Sequence, residues 1–311
     1  MNRDRILATA PLLTATFWGG MYVVSKWGFG AIPPLTLAFL RVALGAVVLA
    51  VIVGFTTPSR SFSREDWRRL VVLAVWLTAT LTTQFVGTDM TNASQGSLLT
   101  VVTPVFILLL AVVTVGERLT RRKTVGMGLA TVGTLVVLAG QYDLAALTDG
   151  SLFGGVILLF SSFCWAAFTV FGKPLVRRYT ALEAVTYATV LSVPLFGVLV
   201  PVELATRGIG LAAIPVTPAV VGAVLYLGVA STAAAWYCWY KGLEYADAST
   251  VAVFFFAQPV VGVLLGVAFL DEAVGLGFLA GGVLLALGVY LVNTAELAPT
   301  DPAETTPVES D

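Results

Sequence analysis

Long apolar runs separated by short clusters of charge dominate the chain from Ile6 to Ala295. A helix that crosses a bilayer needs about 20 consecutive apolar residues. Charge-free runs near that length cover Ile6–Ser25, Val42–Ser59, Leu70–Thr88, Met90–Gly116 and Thr124–Tyr142. A second set covers Gly150–Gly172, Ala184–Val202, Gly208–Tyr240, Ala248–Leu270 and Ala273–Ala295. The pattern predicts an all-α integral membrane protein with ten transmembrane helices, five in each half. The second span starts near Pro34 and therefore contains Arg41. The eighth run exceeds one span, and Pro215 and Pro218 mark its first part as a loop outside the membrane.

Composition supports this reading and narrows the chemistry. Of 311 residues, 58% are hydrophobic and 11% charged, whereas soluble domains carry about 25% charged residues. The absence of histidine excludes Ser-His-Asp catalysis, histidine-bearing zinc sites and histidine proton relays. Cys164 and Cys238 are too few for a zinc cluster or a disulfide framework, and both read as small hydrophobes within apolar runs. No metal or cofactor is expected, and no cluster of nucleophiles or acids at membrane depth suggests an enzyme. A net charge of −1 offers no basic surface to nucleic acid. The expected partners are the lipid bilayer of the cell membrane and a small-molecule substrate.

The placement of the charges says more than their sum. With the N-terminus inside, 14 of the 17 basic residues fall on inner segments, and only Lys26 and Arg207 lie at outer ends. Basic residues concentrate on cytoplasmic loops, so both termini are expected in the cytoplasm. Arg3 and Arg5 before an apolar run could be taken for a secretory signal. The internal repeat described next favours a retained first helix. Residues 296–311 are acidic and rich in Pro and Thr, and read as a disordered cytoplasmic tail.

The halves resemble each other, with residues 1–142 as one five-helix unit and 143–295 as the second. An offset of 147 places Trp18 on Trp165, Lys26 on Lys173 and Leu35 on Leu182. An offset of 155 then places Gly87 on Gly242, Ala93-Ser94 on Ala248-Ser249 and Pro104 on Pro259. The same offset places Glu117 on Glu272, Gly126 on Gly281 and Gly133 on Gly288. Five is odd, so the second copy enters the membrane from the opposite side. Such inverted repeats recur in transporters, because exchanging the two conformations of the halves opens a central site alternately to each side.

Phe17-Trp18-Gly19-Gly20 through Lys26, then Ile32-Pro33-Pro34-Leu35 and Arg41, resemble the opening of EamA-type drug/metabolite transporters. Pro104, Gly116-Glu117-Arg118-Leu119, Gly126 and Gly133 extend the resemblance, with Pro259, Glu272, Gly281 and Gly288 as the second copy. The second copy departs from the pattern at Ala188, opposite Arg41, and at Asp271, opposite Gly116. The resemblance implies a ten-helix carrier of small metabolites, often an exporter of amino acids or related compounds. It also implies a central cavity between helices 1, 3, 4, 6, 8 and 9, with helices 5 and 10 peripheral. A passive channel is the main alternative, and a multi-helix receptor a weaker one.

Candidate substrate contacts follow from spacing. Trp18, Tyr22 and Lys26 lie at i, i+4 and i+8 on one helix face, and Trp165, Thr169 and Lys173 repeat the pattern. The lysines read as snorkelling to the membrane surface. Arg41 lies about 10 Å below the outer surface at 1.5 Å per residue, where it must reach water, an acid such as Glu272, or a substrate anion. Pro104 and Pro259 interrupt helices 4 and 9 and free the carbonyls of Thr100 and Phe255, with Thr103 and Gln258 nearby. Gln84 is placed to face the vestibule. Trp236 is the deep candidate of its aromatic tract, while Trp239 and Tyr240 read as interfacial anchors.

Asn92 and Asp247 stand where helices 4 and 9 begin and read as N-caps. Glu117 reads as a salt-bridged loop residue beside Arg118, Arg121 and Arg122, or with Glu272 as one of two gates. The spans lack a central acid, which favours exchange or uniport over proton coupling. Gly126 with Ala130, and Gly277 with Gly281, form faces for close helix approach within a monomer. A homodimer stays open.

Overall fold

The computed structural model describes residues 3–57, 61–91, 99–117, 119–141, 152–258, 261 and 276–297, and the regular structure among them is helical. Helices α1 (Arg3–Gly19) and α2 (Met21–Gly28) form one rod parted at Gly20. A Cβ at Gly20 would stand 3.0 Å from the Tyr226 hydroxyl, which donates to the Phe17 carbonyl at 2.7 Å. Helix α3 (Pro34–Thr56) opens on a proline, whose missing amide needs no partner in a first turn. Helix α4 (Arg64–Met90) opens on a capping box between Ser63 and Asp66.

A 3₁₀ turn at Thr100–Val102 leads into α5 (Thr103–Val115), which ends on Gly116 at φ 67°, a left-handed conformation that glycine adopts freely. Helices α6 (Arg121–Gln141), α7 (Leu152–Arg178) and α8 (Ala181–Arg207) follow. Helix α9 (Pro218–Tyr245) starts after a Thr217 cap and widens into a π-helical stretch at Tyr226–Ala234. Short α10 (Ala248–Ala252) passes into a 3₁₀ turn at Val253–Phe256, and α11 (Leu276–Leu297) closes the described chain.

Five helices, α3, α4, α7, α8 and α9, are long and apolar enough to cross a membrane, and Thr103–Val115 and Leu279–Val292 are shorter apolar helices. The surface is apolar too. Phe55 and Leu152 are each 89% exposed and Val113 82% exposed, a distribution suited to lipid and unsuited to water. The interior is correspondingly rich in hydroxyls, including Thr14, Thr78, Thr80, Ser161, Ser162, Thr189 and Ser231. Many bond back to their own helix, as Thr78 does to the Ala74 carbonyl at 2.7 Å.

The fourth span differs from the expected continuous helix with an internal proline. Pro104 occupies the first turn of α5, and the Thr103 amide donates to the Thr100 carbonyl. The 3₁₀ turn thus satisfies the carbonyl that proline would otherwise leave bare. A matching 3₁₀ turn precedes Pro259, which itself lies outside the described residues, as do Glu272 and Asn92.

Helices α6 and α11 form the most intimate helix pair, at their glycines. A Cβ on Gly133 would meet the Leu285 nitrogen at 2.5 Å and the Gly281 oxygen at 2.6 Å, and one on Gly288 would meet the Ala130 nitrogen at 2.5 Å. The small faces therefore serve packing within the monomer. Gly133→Leu is expected to destabilise the protein by about 1–3 kcal/mol through overpacking. Gly128→Leu on the same helix, with nothing within 4 Å of its Cβ position, is expected to be neutral. Thermal unfolding in detergent distinguishes the two.

Candidate functional site

A narrow cavity of about 30 Å³ lies between α1–α2, α3, α4, α5, α7, α9 and the turn after α10. Its lining contains Trp18, Tyr22, Arg41, Gln84, Thr100, Thr103, Trp165, Trp236 and Gln258, nine of the ten residues expected from sequence to meet a solute. Thr169 is the exception. It lies one turn beyond Trp165 and accepts a hydrogen bond from Trp239 Nε1 at 3.0 Å. Met21, Thr80, Leu81, Ser161, Ser162 and Phe255 complete the lining. Helical spacing could have found three of them: Thr80 precedes Gln84 by one turn, Ser161 precedes Trp165, and Phe255 precedes Gln258.

Arg41 is 1% exposed and holds its position through neutral groups. Its Nε donates to Thr232 Oγ1 at 2.6 Å, Nη2 to the Ser231 carbonyl at 3.1 Å, and Nη1 faces the Met21 sulfur at 3.0 Å. The guanidinium also lies 5.6 Å from the Trp236 ring and 5.8 Å from the Phe85 ring, within cation–π range. No carboxylate among the described residues pairs with it. The π-helical stretch makes this arrangement local: Thr232 Oγ1 bonds the Leu227 carbonyl five residues back, and the Ser231 carbonyl also accepts Trp18 Nε1 at 2.9 Å. A π turn at a functional site is a recurrent device, and sequence reading did not anticipate it.

Gln84 Nε2 donates to the Tyr22 hydroxyl at 2.8 Å. Trp165 Nε1 and Gln258 Nε2 are buried at the cavity without a hydrogen-bond partner among the described residues. At one end the cavity abuts a cluster of rings. Trp18 and Trp165 meet edge-on at 5.1 Å, Trp18 lies 5.3 Å from Phe255, and Trp239 lies 5.0 Å from Phe255. Trp239 and Tyr240 are fully buried, and Tyr240 donates to the Phe168 carbonyl at 3.1 Å. They are core residues and not the interfacial anchors expected from their place beside Lys241.

Beyond the rings, along the α7 face that carries Trp165 and Thr169, stands Lys173. It is buried and not snorkelling: Nζ contacts Glu117 Oε1 at 2.7 Å and Asp247 Oδ1 at 2.6 Å. Lys123, at the start of α6, meets Asp247 Oδ2 at 2.8 Å. Glu117 further accepts the Ala248 amide at 2.7 Å and the Ser249 hydroxyl at 2.7 Å. The expected cap at Asp247 is therefore supplied by Glu117, while the Asp247 side chain makes no cap hydrogen bond. Arg177 Nη2 lies 3.8 Å from Asp247 Oδ1, so among the described residues three cations and two carboxylates close this end.

The opposite end is held differently. Lys26 Nζ donates to the carbonyls of Thr88, Asp89 and Thr91 at 3.0, 2.9 and 2.8 Å, where the end of a helix favours a cation. Glu203 accepts the amides of Leu35 and Thr36 at 2.9 and 2.8 Å and so caps α3. Arg207 pairs with Asp89 at 3.0 Å.

Burial alone would raise the Asp247 carboxyl, but hydrogen bonds and charge from Lys123 and Lys173 outweigh it and hold the group down at about 2. The difference from an ordinary carboxyl corresponds to about 2 kcal/mol of stabilisation. It is complete above about pH 5 and is lost as pH falls through about 4 towards 2. Asp247→Asn is expected to lower stability by about that amount at neutral pH and to flatten the acid-side decline. Thermal unfolding across a pH series checks both effects.

The sequence pattern of the EamA-like transporter family matches residues 6–139 and again residues 152–294. An uncharacterized transporter of Archaeoglobus fulgidus is 30% identical over 91% of this chain and 96% of its own length. A probable terminal-alkyne amino-acid exporter of Streptantibioticus cattleyicolor is 28% identical over 95% and 96% of the two chains. A probable amino-acid metabolite efflux pump of Escherichia coli is 28% identical over 93% and 94%. A solved crystal structure superposes with a TM-score of 0.74 over 94% of this chain and 97% of the other, at 18% identity, a likeness of fold. With apolar, lipid-suited helices along its length and a family match in both halves, the chain is a multi-pass membrane protein of the EamA-like transporter family.

Proposed function

We propose that the protein is a secondary transporter that exports a small metabolite across the cell membrane by alternating access. The observation that carries this reading is the cavity itself, lined by paired aromatic and polar faces and closed at one end by rings and the Lys173–Glu117–Asp247 network. Export draws support from relatives named as an amino-acid exporter and an efflux pump.

In this reading ten spans form two inverted repeats with both termini in the cytoplasm. Helix pairings support the symmetry: α4 lies on α7 as α9 lies on α1, while α3–α8 and α6–α11 each map onto themselves. The basic end that carries Arg64, Arg177 and Lys241 then faces inward, and the network is an inner gate in its closed state. Lys26, the repeat counterpart of Lys173, rests on the carbonyls of Thr88, Asp89 and Thr91. An offset of 155 maps those residues onto Leu243, Glu244 and Ala246. Opening the inner gate therefore transfers Lys173 from its carboxylates to those carbonyls, with Pro104 and Pro259 at the helix breaks and Glu272 as the outer counterpart of Glu117.

The test is counterflow in proteoliposomes preloaded with pools of unlabelled amino acids and derivatives and offered the labelled compound outside. Transient accumulation above equilibrium is expected for one pool. It should disappear in Trp18→Ala protein that retains its unfolding temperature. Downhill flux without any overshoot would instead identify a channel and overturn the proposal.

A further inference from the structure

The lining of the cavity carries a single charge among the described residues, and that charge is positive. Arg41 meets hydroxyl, carbonyl and thioether acceptors, none of which neutralises it. Its Nη1 points to a sulfur, the weakest acceptor of the three, and is the donor most readily recruited by a stronger oxygen. Trp165 Nε1 and Gln258 Nε2 add two buried donors without partners among the described residues. Trp236 lies between two of these groups, with Arg41 5.6 Å from its ring and Trp165 6.2 Å away on centroids, and Gln258 shares the lining with them.

Leaving a buried donor unmade costs about 1–3 kcal/mol each, and an unpaired buried cation costs more. A ligand that supplies two anionic oxygens has the capacity for all three, since a carboxylate has about four lone-pair sites. An ammonium without a carboxylate beside it to cancel Arg41 finds the reverse. No Asp or Glu lines the described cavity, so it would meet only neutral oxygens beside a fixed charge of its own sign. Trp18, Tyr22, Leu81 and Phe255 supply an apolar and aromatic wall for the rest of the ligand.

We propose that this cavity is a carboxylate-reading site indifferent to an amino group, with Arg41, Trp165 Nε1 and Gln258 Nε2 as the carboxylate donors and an apolar or aromatic body as the preferred remainder. This rests on the cavity being the transport site. It places deaminated and N-acylated acids beside amino acids as ligands and sets amines apart.

Three probes share a phenyl ring and a two-carbon spacer: 3-phenylpropionate, L-phenylalanine and phenethylamine. Each is titrated against the full chain in lipid nanodiscs, read by the fluorescence of the cavity tryptophans. The expected result is saturation by 3-phenylpropionate and L-phenylalanine with affinities within about threefold, and at least about tenfold weaker binding of phenethylamine. Arg41→Gln should lower both carboxylate affinities about tenfold or more and tighten phenethylamine, which no longer meets a charge of its own sign. Trp165→Phe keeps an aromatic ring and removes the N–H together with the five-membered half of the indole, so it tests the same preference without disturbing the Arg41 contacts to α9. It should weaken carboxylate binding about threefold or more.

Equal or tighter binding of phenethylamine overturns the proposal. So does no saturation by either carboxylate at millimolar concentration, or an unaltered carboxylate preference in both variants. Selective binding in protein that shows no counterflow would remove the carrier reading and leave the site. Amine-selective binding in protein that performs counterflow would do the reverse.

Discussion

An ammonium buried in a membrane protein must be cancelled by oxygens the protein itself brings, because hydrocarbon offers none. Lys173 meets that demand between Glu117 and Asp247, and Lys123 and Arg177 join it at Asp247. The network joins α7, which carries Lys173, to the end of α5, the start of α6 and the loop before α10. Satisfying one charge therefore fixes four segments. Glu117 also caps Ala248 and Ser249, which sets where α10 starts. The position of that start determines where the following 3₁₀ turn presents Phe255 and Gln258 to the cavity.

Arg41 shows the other way of burying a cation. It is held by dipoles alone, drawn from a stretch of α9 whose wider turns bring Ser231 and Thr232 to face α3. Gly45 makes the approach possible, since a Cβ there would meet Thr232 at 2.5 Å and the Gly228 oxygen at 3.1 Å. Neutral partners hold the guanidinium in place without cancelling its field. One cation is thus spent on structure and the other retains an electrostatic reach into the cavity, although the two lie on equally buried helix faces.

Much of the cavity was legible because spacing and repetition coincide at Trp18 and Tyr22, at Trp165, and around Pro104 with Thr100 and Thr103. Periodicity fixes a face but not how far along that face the cavity extends, and Thr169 lies past its edge. Lys173 was misread for a different reason. Its carboxylates are 56 and 74 residues away, and a local pattern carries no sign of partners at that separation. Asp247 looked like a cap because it precedes a helix, but Lys123 and Lys173 compete for its oxygens more strongly than two amides do. Trp239 and Tyr240 sit next to Lys241 in sequence, yet they turn inward to Thr169 and Phe168. The π stretch left no mark at all, since Tyr226–Ala234 has the composition of an ordinary apolar helix.

The glycine seam between α6 and α11 limits how these two helices can shift against each other. Backbone faces backbone at Gly126, Gly133, Gly281 and Gly288, with the neighbouring Leu284, Leu285, Leu291 and Val292 close against the glycines. Sliding by one residue is a step of about 1.5 Å along the axis, and it would drive side chains into space that only a hydrogen atom fills. Shear along the seam is therefore blocked. The seam acts as a latch against axial shift between α6 and α11, set by backbone contact and not by side-chain size.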